Sequence, residues 1–227
     1  MNKFELFKEK LKISLQTLPG LEAQLKMAPI TRLEELKKMA QKANPRKSAV
    51  LILFYPYKEK LMLVLMKRPI DNTVHSGQVS FPGGKLEKDD KTLADTALRE
   101  ANEEMGIRPE KVELLGNLSK LYIPPSNFEV HSYVGFTNER PDFIANKDEV
   151  DKIIETEVDV LLHPHTFTNK DIQHRTGKLV NVPCYYIDGN TIWGATAMII
   201  SELTMVIEKQ YHEIYEVNNV DLKRTRE

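Results

Sequence analysis

Between Thr92 and Gly106 the chain reads Leu93-Ala94-Asp95-Thr96-Ala97-Leu98-Arg99-Glu100-Ala101-Asn102-Glu103-Glu104-Met105, a run of good helix formers that leaves little alternative to an α-helix. Gly106 predicts a left-handed cap that ends it. At about 100° per residue, Leu93, Ala94, Ala97, Leu98, Ala101 and Met105 fall on one apolar arc, and Glu100, Glu103 and Glu104 cluster at its edge. Asp95, Arg99 and Asn102 take the remaining side. The acids therefore lie between a buried stripe and solvent, where the wall of a cleft would run.

Carboxylates brought together repel one another and raise each other's pKa unless a cation neutralises them. A hard divalent ion, Mg²⁺ or Mn²⁺, does this, because it prefers carboxylate and water oxygens and bridges protein acids to substrate phosphates. Just upstream, a short strand ends in Phe81-Pro82-Gly83-Gly84-Lys85-Leu86-Glu87. The glycine pair lets the backbone approach a ligand closely and turn a carbonyl or an amide toward it. Other chemistries find less support. Lys85 follows the glycines, but Leu86 stands where a phosphate-binding loop needs its hydroxyl. His75-Ser76 lacks the glycine-flanked elbow of a serine nucleophile, and His163-Pro164-His165 has no further ligand set and reads as a solvated turn. Cys184, the single cysteine, excludes an internal disulfide and a cysteine-rich zinc site and reads as a small strand residue.

Lys and Arg number 32 against 33 Asp and Glu, so no global charge attracts a nucleic acid or an anionic membrane, and any phosphate recognition must be local. The longest apolar stretch, residues 49–57, is far too short for a membrane helix, and charges interrupt the N-terminus where a secretory signal needs an apolar run. A cytoplasmic chain is expected. Phe4, Phe7, Leu11 and Leu15 repeat at helical spacing, as do Leu33, Leu36 and Met39 after Pro29, and together they predict an appended helical extension over residues 1–45. Residues 43–47 read as the linker, since Pro45 disfavours helix at Asn44 and composition then turns strand-like, so the main domain is expected over 46–227. Strands are predicted at 50–55, 60–67, 79–81, 113–122, 128–137, 151–158, 172–175 and 180–187, with helices at 93–105 and 196–211. Strands before and after one central helix, with a second helix at the end, favour an α+β mixed sheet sandwiched between helices over a doubly wound array.

The glycine pair and the acidic helix together resemble the signature of the Nudix hydrolases: Gly, five residues, Glu, seven residues, Arg-Glu, an aliphatic residue, any residue, Glu-Glu, any residue, Gly, aliphatic. Gly84, Arg99, Glu100, Glu103, Glu104, Gly106 and Ile107 fit it; Asp90 stands for the first Glu, the loop is one residue longer, and Ala101 takes the aliphatic site. The longer loop and the form Leu98-Arg99-Glu100-Ala101 are similar to the coenzyme A diphosphatase branch. So are Leu65-Met66-Lys67-Arg68-Pro69, His75-Ser76-Gly77-Gln78-Val79-Ser80-Phe81, Tyr122-Ile123-Pro124-Pro125-Ser126-Asn127-Phe128, the acidic loop Asn146-Lys147-Asp148-Glu149-Val150 and Ile192-Trp193-Gly194-Ala195-Thr196-Ala197, so that the resemblance spans roughly residues 48–207.

The resemblance implies a Nudix fold and hydrolysis of a diphosphate linkage by water, with coenzyme A or acyl-coenzyme A giving 3′,5′-ADP and the phosphopantetheine portion. It makes Glu100, Glu103, Glu104 and the Gly84 carbonyl the holders of Mg²⁺ or Mn²⁺ and gives Arg99 the orienting of these acids. Glu149, in a polar loop after a strand, is expected to be the general base, with Glu103 as its alternative. Lys67 and Arg68 are expected to receive substrate phosphate, His75 and Gln78 to donate hydrogen bonds, and Trp193 either to offer adenine a stacking face or to pack in the core. A hydrolase of ADP-ribose or another nucleoside diphosphate derivative is the alternative enzyme. A silent Nudix-fold binding module is the alternative outside catalysis, although it would have no physical reason to retain a like-charge cluster. The expected partner is a small nucleotide, with no nucleic acid and no membrane, and with homodimerisation left open.

Overall fold

The computed structural model describes residues 2–29, 44–71, 76–124, 126–173 and 179–215. Its central strand, β1 (Arg46–Tyr57), is apolar on both faces: Leu51, Ile52, Leu53, Phe54 and Tyr55 are all fully buried, which requires cover on each side of the sheet. Along its C-terminal half β1 pairs antiparallel with β2 (Lys60–Lys67), and along its N-terminal half with β4 (Gly83–Lys85). On its other edge it runs parallel to β7 (Phe128–Phe136), from Arg46 opposite Phe128 to Phe54 opposite Phe136. Short β3 (Val79–Ser80) and β8 (Lys152–Glu157) flank β2, and β5 (Glu113–Asn117) and β6 (Leu121–Ile123) flank β7. The sheet is therefore mixed, and β1 changes partners at the glycine pair.

One face of this sheet packs on α3 (Leu93–Met105), where Ala97, Ala101 and Met105 meet Ala49, Leu51, Leu53 and Tyr55. The other face carries α1 (Lys3–Ser14) and α5 (Gly194–Tyr215), with the short α2 (Leu21–Leu25) packed on α5. A second, three-stranded sheet, β9 (Phe167–Gln173), β10 (Leu179–Ile187) and β11 (Asn190–Trp193), follows the short α4 (Val158–Leu162) and contributes Tyr185, Ile187 and Ile192 to that core. This is the α+β arrangement of a mixed sheet between helices. No helix among the described residues is long and apolar enough to cross a membrane.

The predicted helix over 93–105 and strand over 60–67 form with those bounds. A capping box starts α3, with Thr92 accepting from the Asp95 amide, and left-handed Gly106 (φ 69°) ends it. The predicted single strand at 113–122 is two, β5 and β6: pairing with β7 runs through a bulge between Leu114 and Gly116 as far as Asn117 and resumes at Leu121, with residues 118–120 outside the ladder. The strand expected at 172–175 begins at Phe167, with 174–175 outside the described residues, and the segments that form β4, β11 and α4 were not expected to be regular elements.

The described part of the expected appendage is instead built into the core. In α1, Asn2 caps the start through the Phe4 and Glu5 amides, and Phe7 sits edge-on to Phe54 at 5.5 Å and to Tyr211 and Tyr215 at 6.4 Å. Leu33, Leu36 and Met39 of the second predicted helix lie outside the described residues. Phe7→Ala is expected to destabilise the protein by about 3–5 kcal/mol, the range for deleting a buried aromatic ring. Ile13→Ala, on the exposed side of the same helix, should stay within about 0.5 kcal/mol of the parent. Denaturant unfolding monitored by circular dichroism checks both; equal effects would show that α1 is not part of the cooperative core.

Candidate active site

The glycine pair and α3 meet edge to edge. The Gly83 amide donates to Glu104 Oε2 at 2.8 Å, and a Cβ on Gly83 would run into the Ala49 carbonyl. A Cβ on Gly84 would occupy the place of the Glu100 carboxylate, so only glycine leaves that acid room against the strand. One turn earlier on α3, Arg99 gathers the remaining groups. Its guanidinium donates to Asp90 Oδ1 and Oδ2 at 3.0 and 3.1 Å, to Glu100 Oε1 at 3.1 Å, to Glu103 Oε2 at 2.9 Å and to the Lys85 carbonyl at 3.1 Å. Asp90 also accepts from the Glu87 amide at 2.9 Å and from the Thr96 hydroxyl at 2.8 Å. These bonds, Arg99 first, hold its carboxyl at about 2, well below the usual carboxylate range.

Spacing places the three helix acids on one edge, and the structure gives them three environments. The Glu104 side chain is 1% exposed, Glu100 14% and Glu103 54%. Burial pushes the Glu104 carboxyl up to about 8, and Glu100 and Glu149 add to the rise, against the Gly83 amide and Arg68. Glu100 is also raised, first by burial and then by Glu103 and Glu149, with Arg99 opposing. Glu149 therefore acts electrostatically on both acids. Among the described residues, no three His, Cys, Asp or Glu side chains converge as a ready metal cluster, because Arg99 draws Glu103 outward while Gly83 and Arg68 hold Glu104 inward. The donor set nevertheless suits a hard divalent cation: it is all oxygen, two of its carboxylates are electrostatically undercompensated, and the glycine at 84 leaves the backbone open beside one of them.

Cations enter from the end of β2. Arg68 Nη1 lies 3.7 Å from Glu104 Oε1. The Arg68 amide donates to the Gln78 carbonyl at 2.9 Å, so Gln78 sits across the turn from it. Lys67 ends β2 between β3 and β8. His75 lies outside the described residues. Trp193, half-buried, ends β11 opposite Cys184; β11 packs on β3, and Thr196 at the start of α5 donates to the Val79 carbonyl at 3.0 Å.

Sequence reasoning did not foresee the contact between Arg68 and Glu104, since nothing local couples a strand end to a distant helix. In the sequence Asp90 stands out as a departure from the signature, and the signature alone does not report its bond to Arg99. A carboxylate nine residues before an arginine on a capped helix is the signal that was there to be read.

A family model described as the NUDIX domain matches residues 45–176, more than half of the chain. The chain is 35% identical over 167 residues to a protein of Pectobacterium atrosepticum named Uncharacterized Nudix hydrolase NudL, the match spanning 71% of this chain and 83% of the relative. A protein of the same name from Yersinia pestis is 36% identical over 165 residues, 73% of this chain and 81% of the relative. Among solved structures, a NUDIX hydrolase from Nitrosomonas europaea aligns with a TM-score of 0.48 at 19% identity, over 76% of this chain and 75% of that one.

The buried bond between Asp90 and Arg99 predicts a pH signature. A carboxyl held near 2 contributes stability that is present above its unfolded value of about 4 and is lost as pH falls through 2. Asp90→Asn is expected to lower stability at pH 7 by about 2 kcal/mol and to flatten the fall of Tm between pH 4 and pH 2. Scanning calorimetry across that window checks it; an unchanged acid limb would show that Asp90 is not held down by Arg99.

Proposed function

This chain belongs to the Nudix hydrolase family, and we propose that within it the protein is a coenzyme A diphosphatase, cleaving coenzyme A or its acyl derivatives to 3′,5′-ADP and (acyl)phosphopantetheine. The observation that carries this reading is Arg68. It sits at the edge of an acidic site, 3.7 Å from the buried Glu104, with a third of its side chain exposed and with Lys67 beside it. An anionic cleft in a chain of net charge −1 needs such local cations to admit a substrate as negative as coenzyme A. The one-residue longer loop before Arg99 and the Leu98-Arg99-Glu100-Ala101 form support the same branch.

In the reaction a water oxygen forms a bond to one phosphorus of the diphosphate, the bridging P–O bond breaks, and its electron pair leaves on the departing phosphate. Mg²⁺ or Mn²⁺ held by Glu100, Glu103, Glu104 and the Gly84 carbonyl would supply neutralisation of the diphosphate and a more acidic water. The residues of the chain do the rest. Arg99 fixes the direction of Glu100 and Glu103 while Asp90 fixes Arg99. Gly83 holds Glu104 through its amide. Glu149, carried on a loop that faces these acids, is assigned the proton of the attacking water, with Glu103 as the alternative acceptor. Arg68 and Lys67 hold substrate phosphate, Gln78 donates beside them, and Trp193 offers a ring face to the adenine.

A charge-assisted bond to the 3′-phosphate contributes about 1.5–3 kcal/mol. The kcat/KM for coenzyme A should therefore exceed that for dephospho-coenzyme A and for ADP-ribose by roughly ten- to a hundredfold. In Arg68→Ala the three values should approach one another. Steady-state kinetics with mass identification of both products decides the matter; equal values in the parent protein, or a preference for ADP-ribose, would overturn the coenzyme A assignment and leave the Nudix chemistry standing.

A further inference from the structure

Between β7 and β8, residues 140–151 form a strap that closes one side of the site. Its entry is pinned away from the acids, where Arg140 pairs with Glu155 at 2.7 Å and Phe143 packs against Tyr55 at 5.6 Å. It then crosses the end of α3. The Ile144 amide donates to the Met105 carbonyl and the Asn146 amide to the Glu104 carbonyl, each at 2.9 Å, satisfying two of the carbonyls that a helix end leaves unpaired. At its exit Val150 is buried in the α3 core, and the Asp151 amide donates to the Lys67 carbonyl at 2.9 Å. The strap thus bridges the two structural sources of the site, the acidic helix and the basic end of β2.

The tip of the strap, Lys147-Asp148-Glu149, is exposed, and Asn146 organises it. The Asn146 side-chain Oδ1 accepts the Asp148 amide at 3.2 Å, and its carbonyl accepts the Glu149 amide at 3.0 Å and the Val150 amide at 2.8 Å. One residue, itself bonded to the backbone of Glu104, therefore receives three successive amides of the turn that presents Glu149. A side-chain bond to the amide two residues on is the Asx turn, which sets a loop conformation without a helix or a strand to support it. The Asn146 amide ties this turn to the helix that carries the acids, and Glu149 acts electrostatically on both Glu100 and Glu104.

We propose that Asn146 is a positioning residue for the reaction, setting the place of the Glu149 carboxylate relative to the α3 acids. Given the proton-accepting role proposed for Glu149, loss of the Asx turn displaces the acceptor without removing any group that binds substrate. A misplacement of about 1 Å costs on the order of a hundredfold in rate. A partial loosening, with the backbone bonds of residue 146 intact, is expected to cost roughly tenfold.

The test compares the parent, Asn146→Ala, Asn146→Ser, Glu149→Gln and the double variant Asn146→Ala/Glu149→Gln, on coenzyme A with Mg²⁺, together with hydrogen exchange of the peptide covering residues 144–151. In Asn146→Ala, kcat should fall roughly tenfold with KM within about twofold, and exchange at the tip should accelerate. Asn146→Ser, whose hydroxyl can close the same turn, should recover kcat to within about threefold of the parent. In the Glu149→Gln background, Asn146→Ala should cost nothing further. A full additional loss in that background would overturn the proposal, as would an unchanged kcat or a rise in KM alone. If the parent turns over no coenzyme A, the substrate reading fails; the proposal is then judged by the same variants on the nucleoside diphosphate derivative that the parent does hydrolyse.

Discussion

One guanidinium holds the site in register. Arg99 takes a bidentate grip on Asp90, reaches Glu100 and Glu103 on its own helix, and touches the carbonyl of Lys85 on β4. Its charge offsets two of the helix acids and cannot reach the third. Glu104 is left to a backbone amide and a distant arginine, and burial raises its proton affinity. The helix thus carries carboxyl groups whose ionised form the protein itself does not fully stabilise. Such an arrangement costs stability in the free protein and is the electrostatic condition for attracting a divalent cation and, through it, a diphosphate.

This arrangement depends on how closely α3 and β4 approach β1. Because β1 is buried on both faces, the two halves of the molecule share a single wall: α1 and α5 press on Ile52 and Phe54, while α3 presses on Leu51 and Leu53. The glycine pair is where β1 exchanges β2 for β4 as its antiparallel neighbour. A side chain at 83 would collide with β1, and one at 84 with Glu100. The absence of those two side chains brings the Gly83 amide to Glu104 and Glu100 to the strand. The strap over residues 140–151 then ties the C-terminal end of α3 to the end of β2, so backbone hydrogen bonds link the elements that carry the acids, Lys67 and Glu149.

What could be read in advance was local. The apolar arc of α3, its Thr92 start and Gly106 stop lie within fifteen residues of each other, and the helix forms with the expected bounds. The same holds for β2, a run of apolar residues between a turn and a basic end. The periodicity of Phe7 and Leu11 showed that one side of α1 must be buried but not what would bury it, and the partners, Phe54 and Tyr211, are supplied by remote strands and helices. β4 is a strand only because β1 lends it an edge, since Gly83-Gly84-Lys85 has no strand preference of its own. The tight turn at Asp188-Gly189 hid β11 by ending the expected strand where a hairpin was in fact folding back. At the site, the signature residues marked the acids and Arg99. The division of labour among the acids came from burial, which spacing alone does not report.

The central claim is that the undercompensated acids of α3 are the hydrolytic centre, and Glu104 is its most buried member. Glu104→Gln keeps the shape and an acceptor for the Gly83 amide while removing the charge. Its turnover of coenzyme A with saturating Mg²⁺, measured on protein whose circular dichroism and Tm match the parent, tests the claim directly. A loss of at least about a hundredfold in kcat is predicted, the scale for removing charge stabilisation at a reacting centre. Turnover within a few fold of the parent would contradict it.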